Sequence, residues 1–198
     1  TDASLLLDCG DFGYGSYEGD SSHGRLAVRF MNRAGYDAAT MGGRDFCGGA
    51  QNLEAQARGA TFPFLCDPML DVALNRPVAL FRPYITKDVK GIRVAIVGIT
   101  DPLIPLLNIR DNVAGFTVDE PLRQMARYLP LVRGESVAVV IVIGHITPRE
   151  GCAIADSFPD VNLVICASQP RPELRLAGRA STPVLVAGAY GQRLGVAD

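Results

Sequence analysis

Residues 31–46 read Met-Asn-Arg-Ala-Gly-Tyr-Asp-Ala-Ala-Thr-Met-Gly-Gly-Arg-Asp-Phe. The stretch changes character twice. Up to Ala34 it completes a helical pattern that begins at His23, with Leu26, Ala27, Phe30, Met31 and Ala34 spaced as one helix face. Gly35 is a natural stop for that helix. Asp37 to Met41 then reads as a short strand ending in the glycines Gly42 and Gly43. A helix that returns into a short buried strand is the repeating unit of a layered α/β fold.

The same alternation extends in both directions. Upstream, Ser4 to Asp8 is a short apolar strand running into a Gly-rich loop, Cys9 to Gly19, of the kind that approaches a ligand. Downstream, Gln51 to Arg58 reads as a helix and Phe62 to Leu65 as a strand. Val78 to Val89 and Ile92 to Ile99 flank Lys90-Gly91, a hairpin signal. Asp119 to Val132 is helical up to a break suggested by Pro130. Val137 to Ile143 is the strongest strand, dominated by Val and Ile. Arg149 to Phe158 is a short helix, Val161 to Cys166 and Val184 to Ala187 are the last strands, and Pro170 to Thr182 reads as a polar, Arg-rich loop. Four strands end on small or polar residues: Gly10-Asp11, Gly42-Gly43, Gly144-His145 and Ala167-Ser168. Sites in such folds gather at strand ends.

Composition limits what such a site can do. The 198 residues are 48% hydrophobic and 20% charged, enough for a core, and fit a single domain spanning 1–198. A net charge of −2 supplies no basic field for nucleic acid, and no apolar run reaches the roughly 20 residues of a spanning helix. The five cysteines, Cys9, Cys47, Cys66, Cys152 and Cys166, form no CxxC or zinc-ribbon spacing. Four of them, Cys9, Cys47, Cys66 and Cys166, fall near strand ends, where thiolates could in principle hold a soft metal. Only two histidines are present, His23 and His145.

Taken in order along the chain, these blocks resemble the calcineurin-like metallophosphoesterases, in particular their 5'-nucleotidase branch. Leu5 to Asp11 with Gly15-Ser16 is similar to that family's "GD" block. Met31 to Phe46 resembles its "MN..GYDA...GNHEF" stretch. Phe62 to Leu65, the hairpin to Ile99, the strands before His145 and after Val161, and Pro183 to Gly195 follow in the family's order. The resemblance implies a four-layer α/β/β/α sandwich with a dinuclear metal site at the strand ends. It also implies that the family's first strand and any C-terminal nucleotidase domain lie outside these residues. A periplasmic or extracellular location is implied by the same resemblance.

The chemistry departs from that pattern position by position. Hydrolysis in the family rests on two metal ions about 3.5–4 Å apart, bridged by an attacking hydroxide. Asp11 falls on the bridging aspartate and His145 on the histidine after the strong strand. Gly43 and Arg44 fall where an Asn-His pair belongs, and Asp45 takes the acidic position that follows. Ser168 and Pro170 fall on the two histidines of the last motif, with Gln169 between them. The remnant metal positions are thus Asp11 and His145, and two protein ligands do not secure two hard divalent ions. No cofactor is expected; two divalent ions would be expected only with an intact site.

Arg44 is the informative change. Its fixed charge either pairs with Asp11, repairing a carboxylate stranded without metals, or faces solvent and binds a phosphate or other anion. Three readings follow: a non-catalytic scaffold or interaction module, a metal-dependent phosphoesterase completed by segments or chains outside these residues, and an anion-binding module using Arg44. With Ser4 to Asp8 at an open sheet edge, a protein partner covering that edge is expected.

Overall fold

The computed structural model describes residues 4–66, 70–71, 76–77, 81–113 and 117–197. In chain order the elements are β1 (Leu7–Asp8), α1 (Tyr17–Ser22), α2 (Arg25–Ala34), β2 (Ala38–Thr40), α3 (Gly49–Gly59), β3 (Phe64–Leu65), β4 (Leu70–Asp71), β5 (Arg76–Pro77), β6 (Phe81–Arg82) and β7 (Tyr84–Val89). They continue with β8 (Ile92–Ile99), α4 (Ile104–Leu107), α5 (Pro121–Gly134), β9 (Val139–Gly144), α6 (Pro148–Ser157), β10 (Leu163–Cys166), β11 (Glu173–Ala177) and β12 (Thr182–Val186). Short 3-10 turns cover Gly43–Phe46 and Arg110–Asn112. The expected strand start at Val78 lies outside the described residues.

Two sheets lie face to face. The first is parallel throughout, in the order β1-β2-β3-β6; the second runs β11-β12-β10-β9-β8-β7, with β8, β9, β10 and β12 parallel and the two edge strands antiparallel. β4 and β5 form a separate two-stranded ladder. The alternation of side chains along a strand explains the layering. In β8, Val94 and Ile96 point between the sheets, where they join Ala38, Leu65, Ile141 and Ile143. Their neighbours Ala95, Val97 and Ile99 point outward, against Met125 and Leu129 of α5 and Ile154 of α6. β8 is therefore apolar at successive positions because both of its faces are covered. Across the first sheet, Ala39 and Phe64 face Val28 and Met31 of α2 and Leu53 of α3. The order is α2/α3, sheet, sheet, α5/α6, the expected four-layer α/β/β/α sandwich. The sheets approach closely at Gly98, where an added Cβ would sit 2.5 Å from the Leu65 carbonyl oxygen.

Several local expectations are corrected. The stretch Pro170 to Thr182 is not a loop throughout, because β11 forms within it and pairs residue by residue with β12. Pro130 does not end α5, which continues to Gly134. Pro130 and Ala126, the residue one turn before it, both lie on the exposed side of α5, so water can take up the carbonyl that proline leaves unbonded. His23 is not inside a helix; it terminates α1 in the left-handed region at φ 52°. In α2 the buried residues are Val28 and Met31, whereas Leu26 and Phe30 face solvent. β1 sits at the edge of the first sheet, paired among the described residues with β2 only.

Candidate functional site

The ends of β1, β2, β8, β9 and β10 converge, and the loops that leave them meet. Gly10 makes this possible: it has φ +91°, and a Cβ there would lie 2.3 Å from the Gly42 nitrogen. Its N–H donates to Asp8 Oδ1 at 2.8 Å. The loop is then tied to the Gly42–Asp45 turn by one buried carboxylate. Asp45 accepts the main-chain N–H groups of Asp11 (2.8 Å), Gly13 (3.0 Å) and Gly42 (2.9 Å). Those donors favour its charged form, but complete burial outweighs them and pushes its pKa up to about 7. Burial likewise raises Asp8 to about 6, with the Gly10 N–H and His145 pulling the other way.

Asp11 is held out from this anchor in the left-handed region, φ 63°. Its Oδ1 accepts the Arg44 main-chain N–H at 2.8 Å. Its Oδ2 lies 3.8 Å from Arg44 Nε and 3.4 Å from His145 Nε2. The Arg44 side chain is 54% exposed, and its guanidinium lies over Gly15, where a Cβ would come within 2.6 Å of Nη1. His145 Nδ1 sits 3.2 Å from the Cys9 carbonyl oxygen. The two ring nitrogens thus face opposite ways, Nδ1 toward the Cys9 carbonyl and Nε2 toward Asp11. The structure thus brings Asp11, Arg44 and His145 together.

The remaining expected positions contribute no donors to that cluster. Gly43 has no side chain, and a Cβ there would meet only Asn108 Nδ2 at 3.7 Å. Ser168 and Pro170 are exposed, and Gln169 between them donates to Glu173 Oε2 at 2.6 Å and to the Arg171 carbonyl at 3.2 Å. Among the described residues, no group of three or more His, Cys, Asp or Glu side chains is placed to hold a metal ion. One of Asp11's two oxygens already accepts a main-chain N–H, and proline and glycine offer no side-chain ligand atom. These residues do not fit a dinuclear centre. The thiols are scattered: Cys47 is exposed, Cys166 is buried and pushed up to about 12, and Cys9 is partly buried, its thiol also raised by desolvation, and donates to the Ile165 carbonyl.

Two carboxylates here were not anticipated as site residues. Asp8 ends β1, and Asp101 follows β8. Asp101 accepts the Leu103 N–H at 2.8 Å, and its pKa is raised by burial and by Glu150. Thr100-Asp101 is a polar strand end of the same kind as the four singled out from the sequence, so the signal that marks His145 marks Asp101 as well.

No family model matches the chain. It is 25% identical over 186 residues to a 5'-nucleotidase of Vibrio cholerae, covering 93% of this chain and 33% of that protein. An uncharacterized metallophosphoesterase of Bacillus subtilis, YunD, is 24% identical over 200 residues, covering 98% of this chain and 42% of the relative. The chain therefore spans less than half the length of these curated relatives. Among solved structures, the calcineurin-like phosphoesterase YfkN of Bacillus subtilis superposes with a TM-score of 0.78 at 19% identity, covering 93% of this chain and 67% of that one.

Proposed function

The chain belongs to the calcineurin-like metallophosphoesterase superfamily, and from that premise we propose that it is a non-catalytic member, a single domain serving as a scaffold or interaction module. The observation that carries this reading is the state of Asp11. It falls where the resemblance implies a bridging metal ligand, and here it is bonded to the Arg44 main chain and ion-paired with the Arg44 side chain. A fixed cation at that place opposes two divalent cations in the same small volume. Arg44 thus takes over the charge-balancing task that metals perform in an intact site. A protein partner laid against the edge of β1 that is unpaired among the described residues belongs to this reading, because an unpaired strand edge invites pairing. A periplasmic or extracellular location is also part of it and rests on the family resemblance. Among the described residues, no helix is long and apolar enough to cross a membrane.

The half-exposed guanidinium of Arg44 supports a second reading, in which the site holds a phosphate or other anion without hydrolysing it. Both are tested in one experiment: hydrolysis of nucleotides and of p-nitrophenyl phosphate, with manganese, magnesium or zinc. The expected result is no rate above that of the Asp11→Asn variant. Thermal stabilisation by a nucleotide, lost in Arg44→Ala, would select the anion-binding reading. A metal-dependent rate abolished by Asp11→Asn would overturn both and return the chain to the phosphoesterases, completed by residues beyond this stretch.

A further inference from the structure

The outer face of α2 lies apart from the site and sets three arginines in a row beside two exposed apolar side chains. At 3.6 residues per turn, Arg25, Arg29 and Arg33 form one continuous row, and Leu26 and Phe30 lie directly beside it. Val28 and Met31 on the opposite side anchor the helix in the core. Leu26 is 49% exposed and Phe30 65% exposed. Elsewhere Arg58, Arg93, Arg127, Arg133 and Arg175 each pair with a nearby carboxylate. Among the described residues, none of the three arginines on α2 forms an ion pair. Beside them a shallow groove of about 330 Å³, lined by Glu18, Arg25, Leu26 and Arg29 among others, separates α1 from α2.

We infer that this face docks an acidic, partly apolar segment of a protein partner, with carboxylates on the arginine row and apolar side chains on Leu26 and Phe30. Three features argue for it. The row consists of guanidinium groups spaced one helical turn apart, and each can grip a carboxylate in a two-pronged geometry that a diffuse anionic surface does not require. Arg and Phe are the residue types that anchor protein interfaces. Finally, at 1.5 Å rise per residue the row from Arg25 to Arg33 is only about 12 Å long, a span that one short peptide segment covers. The inference goes beyond the scaffold reading and needs no assumption about hydrolysis, so its failure leaves that reading standing.

The test is selection of a phage-displayed random peptide library on the protein, followed by affinity measurements on the enriched peptides. The expected consensus is rich in Asp and Glu with interspersed Leu or Phe. Arg25→Glu/Arg29→Glu/Arg33→Glu should weaken binding by more than roughly tenfold, with a steep salt dependence, and Phe30→Ser should weaken it by a smaller factor. All four positions are exposed, so an unchanged thermal midpoint certifies folding. No enrichment, a consensus without net negative charge, or affinity unaffected by the charge reversal would overturn the proposal. Binding to phosphatidylserine vesicles with the same arginine dependence would also overturn it and assign the face to a membrane.

Discussion

Asp45 is the residue on which the site's geometry turns. Its carboxylate gathers three main-chain donors from two loops. Asp45→Asn replaces one acceptor oxygen by a donor and leaves at least one buried N–H unsatisfied, at a cost of about 1–3 kcal/mol. Equilibrium urea unfolding measures this. The penalty should depend on pH in a definite direction. The folded pKa is raised from 3.8 to about 7, so the native state binds the proton more tightly than the unfolded chain does. The stability this confers is complete below the unfolded value and is lost as pH rises through about 7. The penalty of Asp45→Asn is therefore larger near pH 4 than above pH 7, a trend that a comparison across that range would confirm or refute. Arg44 is different. Its ion pair with Asp11 is half exposed, and its main-chain N–H bond survives truncation. Arg44→Ala should cost under about 1 kcal/mol. Asp11 and His145 stand at strand ends that residue type and spacing already marked, whereas Arg44 stood out only through the family resemblance. The roles of Asp8 and Asp45 as buried acceptors were not legible in the sequence, since a carboxylate's burial depends on what the fold lays over it.

At the level of elements, β8 and β9 were plain in the sequence because a strand covered on both faces must be apolar at successive positions. β11 was hidden for the opposite reason. Its Leu174, Arg175 and Leu176 are all exposed on an edge strand, so no burial pattern marks it, and its register comes from β12 alone. The outward turn of Leu26 and Phe30 in α2 was similarly illegible, because helical spacing shows that a face exists without showing which face is covered. Pro130 poses a measurable question. Helix α5 passes through it and leaves one carbonyl to water, so Pro130→Ala should stabilise the protein by about 1–3 kcal/mol in the same unfolding measurement. Gly98 poses the converse question. Its added Cβ would meet the Leu65 backbone in the other sheet, and Gly98→Ala should force the sheets apart and cost about 1–3 kcal/mol.

For the molecule as a whole, the layers and the chemistry have separated. The core between and outside the sheets depends on apolar residues, and that pattern is intact in Val94 to Ile99 and Val139 to Ile143. A dinuclear site depends on a handful of donors at strand ends, each replaceable without disturbing a layer. Gly43, Arg44, Ser168 and Pro170 sit in turns and exposed loops, so a change of residue at any of them leaves the layers of the sandwich undisturbed. The direct measurement is a calorimetric titration of the metal-stripped protein with manganese and with zinc. Asp11 and His145 with Arg44 between the loops should bind no stoichiometric pair of ions. Two equivalents bound at the site, lost together in Asp11→Asn, would contradict the claim that this domain has given up its family's metal chemistry.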